Sequence, residues 1–190
     1  MTVKELIKKR RTIRKFENKP ISKNQLTAYI EAARLYPSAA NLQPIKYAVI
    51  ADKEMTDKVF PTLKWAGYLK GEYTPKEEEK PTAYIIVCVD TSISKSNYDM
   101  DVGAAVENII LSALEDGVGA CWLASVDREK LSGIIALEEN LTISCVVALG
   151  YPAENPTEIQ MQNGDVKYFL QNGTLNVPKR SLEEIIIKAL

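Results

Sequence analysis

Four short apolar runs, well separated along the chain, set the terms for how it can fold. Residues 45–51, 83–89, 120–124 and 143–149 are rich in β-branched and other apolar side chains and carry almost no polar interruption. Such runs are too short for helices and read as strands of a sheet buried on both faces. Between them, residues 99–116 place Val102, Val106, Ile109, Ile110 and Ala113 on one stripe of a helix that Gly117 stops, and a shorter helix spans about 127–135. Strands alternating with amphipathic helices imply a layered domain containing both, and the irregular connections leave mixed strand directions open. At 190 residues the chain is expected to form one domain, 1–190, with a core that needs no disulfide.

Local signals fill in the rest. Thr2 with Glu5, Ser22 with Gln25 and Ser181 with Glu184 are three capping boxes, each of which opens a helix. The second helix carries Leu26, Tyr29, Ile30 and Ala33 on one face and must end near Tyr36, because Pro37 forces its predecessor out of helical geometry. The last helix is expected over 182–190, with Leu182, Ile185, Ile186 and Ala189 docking on the body or on a second subunit. Runs 166–170 and 174–177 flank Gln171-Asn172-Gly173, a hairpin signal. Residues 70–81 are charged and hold two prolines, so they form a surface excursion and a candidate mobile lid.

Composition removes whole classes of function. With 24 basic and 25 acidic residues the net charge is −1, which argues against a general nucleic-acid binder. Histidine is absent, and with it Ser-His-Asp and Cys-His catalysis, histidine zinc sites and histidine proton shuttles. Cys88, Cys121 and Cys145 lie in apolar runs and read as packing residues of a reducing compartment. The longest unbroken apolar stretch, 83–89, falls far short of the ~20 residues that cross a bilayer, and no signal-peptide plan opens the chain, so a cytoplasmic protein is expected.

Chemistry must then come from other side chains or from a bound group. Lys8-Lys9-Arg10-Arg11, followed by Arg14-Lys15, either complements the negative end of the first helix or, with Thr12, forms a phosphate site. Lys179-Arg180 precedes the capping serine of the last helix and is either a solvated turn or a second anion site. Pro37-Ser38-Ala39-Ala40-Asn41-Leu42-Gln43-Pro44 is a connector, or a loop whose Ser38, Asn41 and Gln43 meet the edge of a polar heterocycle. Gly117-Val118-Gly119 lacks the third glycine of a dinucleotide fingerprint and runs from helix to strand, and no G-K-[ST] loop exists. Asp99 and Asp101 open a helix, where acids belong, and are not read as a metal pair.

Taken in order, Arg10-Arg11-Thr12-Ile13-Arg14-Lys15-Phe16, the 37–44 loop, Asp101-Val102-Gly103-Ala104-Ala105-Val106-Glu107-Asn108 and Gly117-Val118-Gly119-Ala120-Cys121-Trp122 resemble the FMN-dependent nitroreductase family. Leu149-Gly150-Tyr151-Pro152 and Pro178-Lys179-Arg180 look like markers of the same family, so the resemblance covers nearly the whole chain. It implies an α+β, three-layer fold with a central mixed sheet flanked by helices, a C-terminal extension, and an obligate homodimer with two FMN molecules at the interface. On that likeness Arg10, Arg11 and Thr12 hold the phosphate and ribityl chain, and Lys179 and Arg180 close on the phosphate. Arg14 lies near the flavin pyrimidine ring as an electrostatic stabiliser. Pro37, Ser38, Asn41 and Gln43 come from the other subunit, and Trp122, Leu123 and Ala124 pass close to the ring. Ser125 stands where many relatives have glycine, and Lys64-Trp65-Ala66-Gly67-Tyr68 offers no clear polar contact to the flavin edge. Trp65 and Tyr68 read as packing residues or as a stacking lid. The implied activity passes electrons from NAD(P)H to a nitroaromatic, quinone or similar electron-poor acceptor by a two-step (ping-pong) hydride mechanism on the flavin. The implied partners include no nucleic acid, membrane or metal. A non-catalytic flavin-binding or sensory protein on the same fold is the alternative.

Overall fold

The computed structural model describes residues 1–189. Its helices are α1 (Val3–Lys9), α2 (Lys23–Ala33), α3 (Lys53–Val59), α4 (Asp99–Glu115), α5 (Arg128–Ile134) and α6 (Leu182–Ile185). Its strands are β1 (Ile45–Ile50), β2 (Ala83–Asp90), β3 (Gly119–Leu123), β4 (Leu141–Gly150), β5 (Thr157–Gln160), β6 (Phe169–Gln171) and β7 (Thr174–Lys179). The first four strands form one sheet in the order β1-β2-β4-β3, and the last three form a small second sheet in the order β5-β7-β6.

The architecture is α+β. All three ladders of the central sheet are antiparallel, and among the described residues the only parallel pairing between strands is β5 with β7 in the second sheet. Within one chain the hydrogen-bonded ladders of the central sheet are therefore not mixed, although β2 and β3, both antiparallel to the β4 that lies between them, run in the same sense and are joined by a crossover through α4.

Alternation along the central strands builds the three layers. Ala83, Ile85, Val87 and Val89 of β2 face α2 and α4, while Tyr84, Ile86 and Cys88 face the opposite core, which includes Val59, Leu131, Ile13 and Phe16. Every residue of β2 is buried, as a continuous apolar run requires. A bulge between Val87 and Cys88 shifts the β2–β4 register, so that Ile143 and Cys145 lie in opposite cores despite their spacing of two. The carbonyls this frees at Ile143 and Ser144 accept from the Arg128 guanidinium at 2.9 and 2.8 Å.

The capping boxes at Thr2, Ser22 and Ser181 all form. The 172–173 turn forms as well, with Asn172 and Gly173 both at positive φ, as a two-residue hairpin demands. The final helix does not extend as the pattern predicts. It ends at Ile185 after one turn, with Leu182, Ile185, Ile186 and Ile187 exposed, and Leu190 lies outside the described residues. Three successive isoleucines are poor helix formers, and with their side chains exposed no burial offsets that preference.

Candidate functional site

The cationic segment after α1 is zipped onto the end of the central sheet. Thr12 bridges Ala120, the Ile13 N–H donates to the Ala120 carbonyl at 2.9 Å, Phe16 bridges Pro152, and Ala153 N–H donates to Lys15 O at 2.9 Å. Two glycines make this approach possible. Gly119 and Gly150 are register partners across β3 and β4, and a Cβ on either would come within 2.7 Å of Ile13 or Phe16, respectively. Ile13 and Phe16 thus plug into a slot where no side chain stands, and Arg14 and its neighbours are carried on a fixed strand.

The arginines of that segment are used differently. Arg11 is occupied internally: it donates to Lys8 O at 3.0 Å, to Arg10 O at 2.6 Å and to Glu158 of β5 at 2.5 Å. Arg10 is half-buried, 3.7 Å from Glu107 on α4. Arg14 is half-buried with its guanidinium over the Tyr168 ring at 4.8 Å, and its Nε has no hydrogen-bond partner among the described residues. A buried N–H donor without an acceptor is costly unless something supplies one.

The Arg11–Glu158 ion pair ties this segment to the second sheet. Glu158 and Gln160 of β5 stand opposite Val177 and Lys179 of β7, so Lys179 is brought to the same side of the molecule as Arg11. Arg180 donates to Glu184 at 3.3 Å. Helix α6 is a single turn, and its capping box takes up the Ser181 and Glu184 N–H groups internally.

Strand β3 delivers Trp122, Leu123 and Ala124. Leu123 is buried, whereas Trp122 is 42% exposed, a large apolar ring left uncovered in an otherwise closed strand. Ala124 gives its carbonyl to Arg128 at 3.2 Å. Beside this exit, Leu63 bridges Val126 and Lys64 N–H donates to Ser125 O at 3.0 Å, which explains how serine is accommodated there: its backbone carries the contact. Trp65 is packing, stacked on Phe60 at 5.7 Å. Tyr68 is exposed and meets Tyr168 at 5.0 Å with the rings tilted by 55°, so the two tyrosines and Arg14 form one cluster.

The charged excursion is pinned at several points. Tyr73 is buried with Ala66 and Leu175, its hydroxyl donates to Glu154, and Lys15 reaches Glu79 at 3.1 Å while lying over the Tyr73 ring. Burial first, and then the Glu154 carboxylate, hold the Tyr73 phenol well above the ordinary tyrosine range. A segment read as a surface excursion and candidate mobile lid is thus tied down through Tyr73 and Glu79.

The 37–43 loop is built at the other end of α4. The Ser38 hydroxyl donates to Asp101 at 2.5 Å and accepts from Gln43 N–H at 2.9 Å, and the Gln43 side chain donates to Asn41 O at 3.1 Å. Ala40, Asn41 and Gln43 all adopt positive φ, a tight path held by the buried Asp101 carboxylate. Asp101 is therefore a loop anchor and not merely a favourable charge at a helix start. Pro37 and Asn41 are exposed. Among the described residues, no hydrogen bond or ion pair joins this loop to Arg10, Arg11, Thr12 and Arg14 or to Lys179 and Arg180.

The family model described as "Nitroreductase family" matches residues 7–151. A protein of Archaeoglobus fulgidus provisionally named NADH dehydrogenase/NAD(P)H nitroreductase is 36% identical over 157 residues, covering 79% of this chain and 85% of that one. A protein of the same provisional name from Methanothermobacter thermautotrophicus is 33% identical over 162 residues, covering 82% and 80%. Among solved structures, a provisionally named nitroreductase of Desulfovibrio desulfuricans, crystallised with FMN, superposes with a TM-score of 0.75 at 24% identity, covering 100% of this chain and 98% of that one. No described helix is long and apolar enough to cross a membrane. Sequence, strand order and relatives converge, and the chain belongs to the nitroreductase family.

Proposed function

We propose that the protein is a cytoplasmic, homodimeric FMN-dependent oxidoreductase that takes electrons from NAD(P)H and passes them, in a separate second step, to a nitroaromatic, quinone or similar electron-poor acceptor. The observation that carries this reading is Arg14, a half-buried guanidinium fixed by its backbone and by Tyr168, whose Nε has no partner among the described residues. The donor set suits a flavin: a planar cation for the pyrimidine edge, and further cations at Arg10, Lys179 and Arg180 for a phosphate. FMN, when bound, supplies the hydride and electron transfer.

The chain's own residues bind, orient and stabilise charge. With FMN bound, Arg14 would set positive charge against the ring's pyrimidine edge, Arg10 and Lys179 would neutralise the phosphate, and Thr12 would offer a hydroxyl to the ribityl chain. Arg11 serves by holding the strand to β5, since its donors are already committed. Trp122 offers an exposed flat face beside Leu123 and Ala124. Ser38, Asn41 and Gln43 make no direct hydrogen bond or ion pair with these residues among the described ones and are tied to Asp101 at the start of α4 instead, an arrangement in keeping with their delivery by a second copy.

The visible absorption spectrum of the purified protein tests the cofactor, and loss of reduced-nicotinamide absorbance tests the reaction. A flavin spectrum with NAD(P)H oxidation is expected. A colourless protein that takes up no added FMN overturns the proposal, and a yellow one that oxidises no NAD(P)H is a non-catalytic flavin binder. Arg10→Ala is expected to weaken FMN about tenfold to a hundredfold, the loss of one charged hydrogen bond, measured by fluorescence titration.

A further inference from the structure

We propose that Glu154 is the positioning residue for Arg14, holding its backbone while leaving its guanidinium unpaired; this rests on the flavin reading above. Glu154 is half-buried just beyond the Phe16–Pro152 bridge. Its Oε1 accepts two consecutive backbone N–H groups, those of Arg14 and, at 3.1 Å, Lys15. Its Oε2 accepts the hydroxyl of the buried Tyr73. One carboxylate therefore ties the strand that carries Arg14 to Tyr73 of the charged excursion.

An acid this near an arginine would ordinarily pair with its side chain. Here the Arg14 guanidinium lies against Tyr168 and forms no ion pair with Glu154, which spends its acceptors on main-chain N–H groups instead. Direct pairing would neutralise the cation and occupy its donors. Holding it through the backbone fixes the direction of the side chain and keeps its charge available.

The oxygen-by-oxygen division makes geometry separable from charge. Glutamine at this position keeps an oxygen for both N–H groups and turns an amide N–H toward the Tyr73 oxygen, so E154Q preserves the clamp without the charge. E154A removes both, leaving two N–H groups and a hydroxyl without acceptors.

The test compares wild type, E154Q and E154A in the protein as purified, by flavin midpoint potential, FMN affinity and hydrogen exchange at the Arg14 and Lys15 amides. E154A is expected to lose about tenfold or more in FMN affinity and to speed exchange at those amides by about tenfold or more, with a lowered potential. E154Q is expected to stay within about twofold of wild type in affinity and exchange, and to keep its potential. E154A indistinguishable from wild type overturns the proposal, and so does E154Q failing alongside E154A, which would make the charge decisive. Should E154A not fold, E154Q decides alone: retained protection and potential support the role, and loss of either overturns it. A wild-type protein that binds no flavin would overturn the proposed function, while the exchange comparison would still judge the clamp.

Discussion

Gly150→Ala is expected to unseat the cationic segment and to cost about 1–3 kcal/mol or more of folding stability, read as a shift in the denaturant midpoint. The new Cβ would lie 2.7 Å from Phe16 Cδ1 and 2.9 Å from both Phe16 Cβ and Cγ. A flexible side-chain tip could swing aside, but Phe16 Cβ is fixed to the main chain, which donates to Glu79 O at 2.9 Å and bridges Pro152. Relief therefore requires the strand itself to move, and Arg14 moves with it. Gly119→Ala should act alike, because its Cβ would meet Ile13 Cγ1 at 2.7 Å and Pro152 Cγ at 3.0 Å. If the flavin site depends on this seat, FMN retention should fall in step with stability. A G150A protein with an unchanged midpoint would show that the slot is not filled as described.

Arg14→Ala is expected to lower the two-electron potential of bound FMN by about 20–65 mV, the equivalent of about 1–3 kcal/mol for one charged hydrogen bond. Two-electron reduction adds negative charge to the pyrimidine edge, so a cation there favours the reduced form more than the oxidised one. The fold should survive, since the guanidinium makes no described ion pair and its main cost is the stacking on Tyr168. Reduction by NAD(P)H should slow while the midpoint of unfolding changes little. A potential equal to that of wild type would refute the assigned role.

How much of this was legible in the sequence depends on where each signal resides. Strands β2 and β4 are marked because burial on both faces demands unbroken apolar side chains, and α4 because its stripe repeats at helical spacing. The short helix α3 was not anticipated: its signal is a single capping aspartate, Asp52, on seven residues with little apolar pattern. Strand β5 escaped as well, with three of its four residues exposed. The cationic positions were visible as charge, but not the division of labour between a committed Arg11 and an unpaired Arg14, which depends on Glu158 and Tyr168 far along the chain. Gly119 and Gly150 stood out only as parts of motifs. Their purpose is an empty space that appears when two strands meet in register and a third segment crosses them, and no local pattern encodes that. Asp101 looked like a helix-start acid because its partner, Ser38, is 63 residues away.

The three cysteines, sealed in the central sheet, carry a practical consequence. Burial pushes their thiols up to about 11 for Cys88, about 12 for Cys121 and about 11 for Cys145, so almost no thiolate exists at neutral pH. Only the thiolate attacks an alkylating reagent. Labelling in the native state must then wait for the strands to part, and its rate becomes a clock for how often the interior of this molecule breathes.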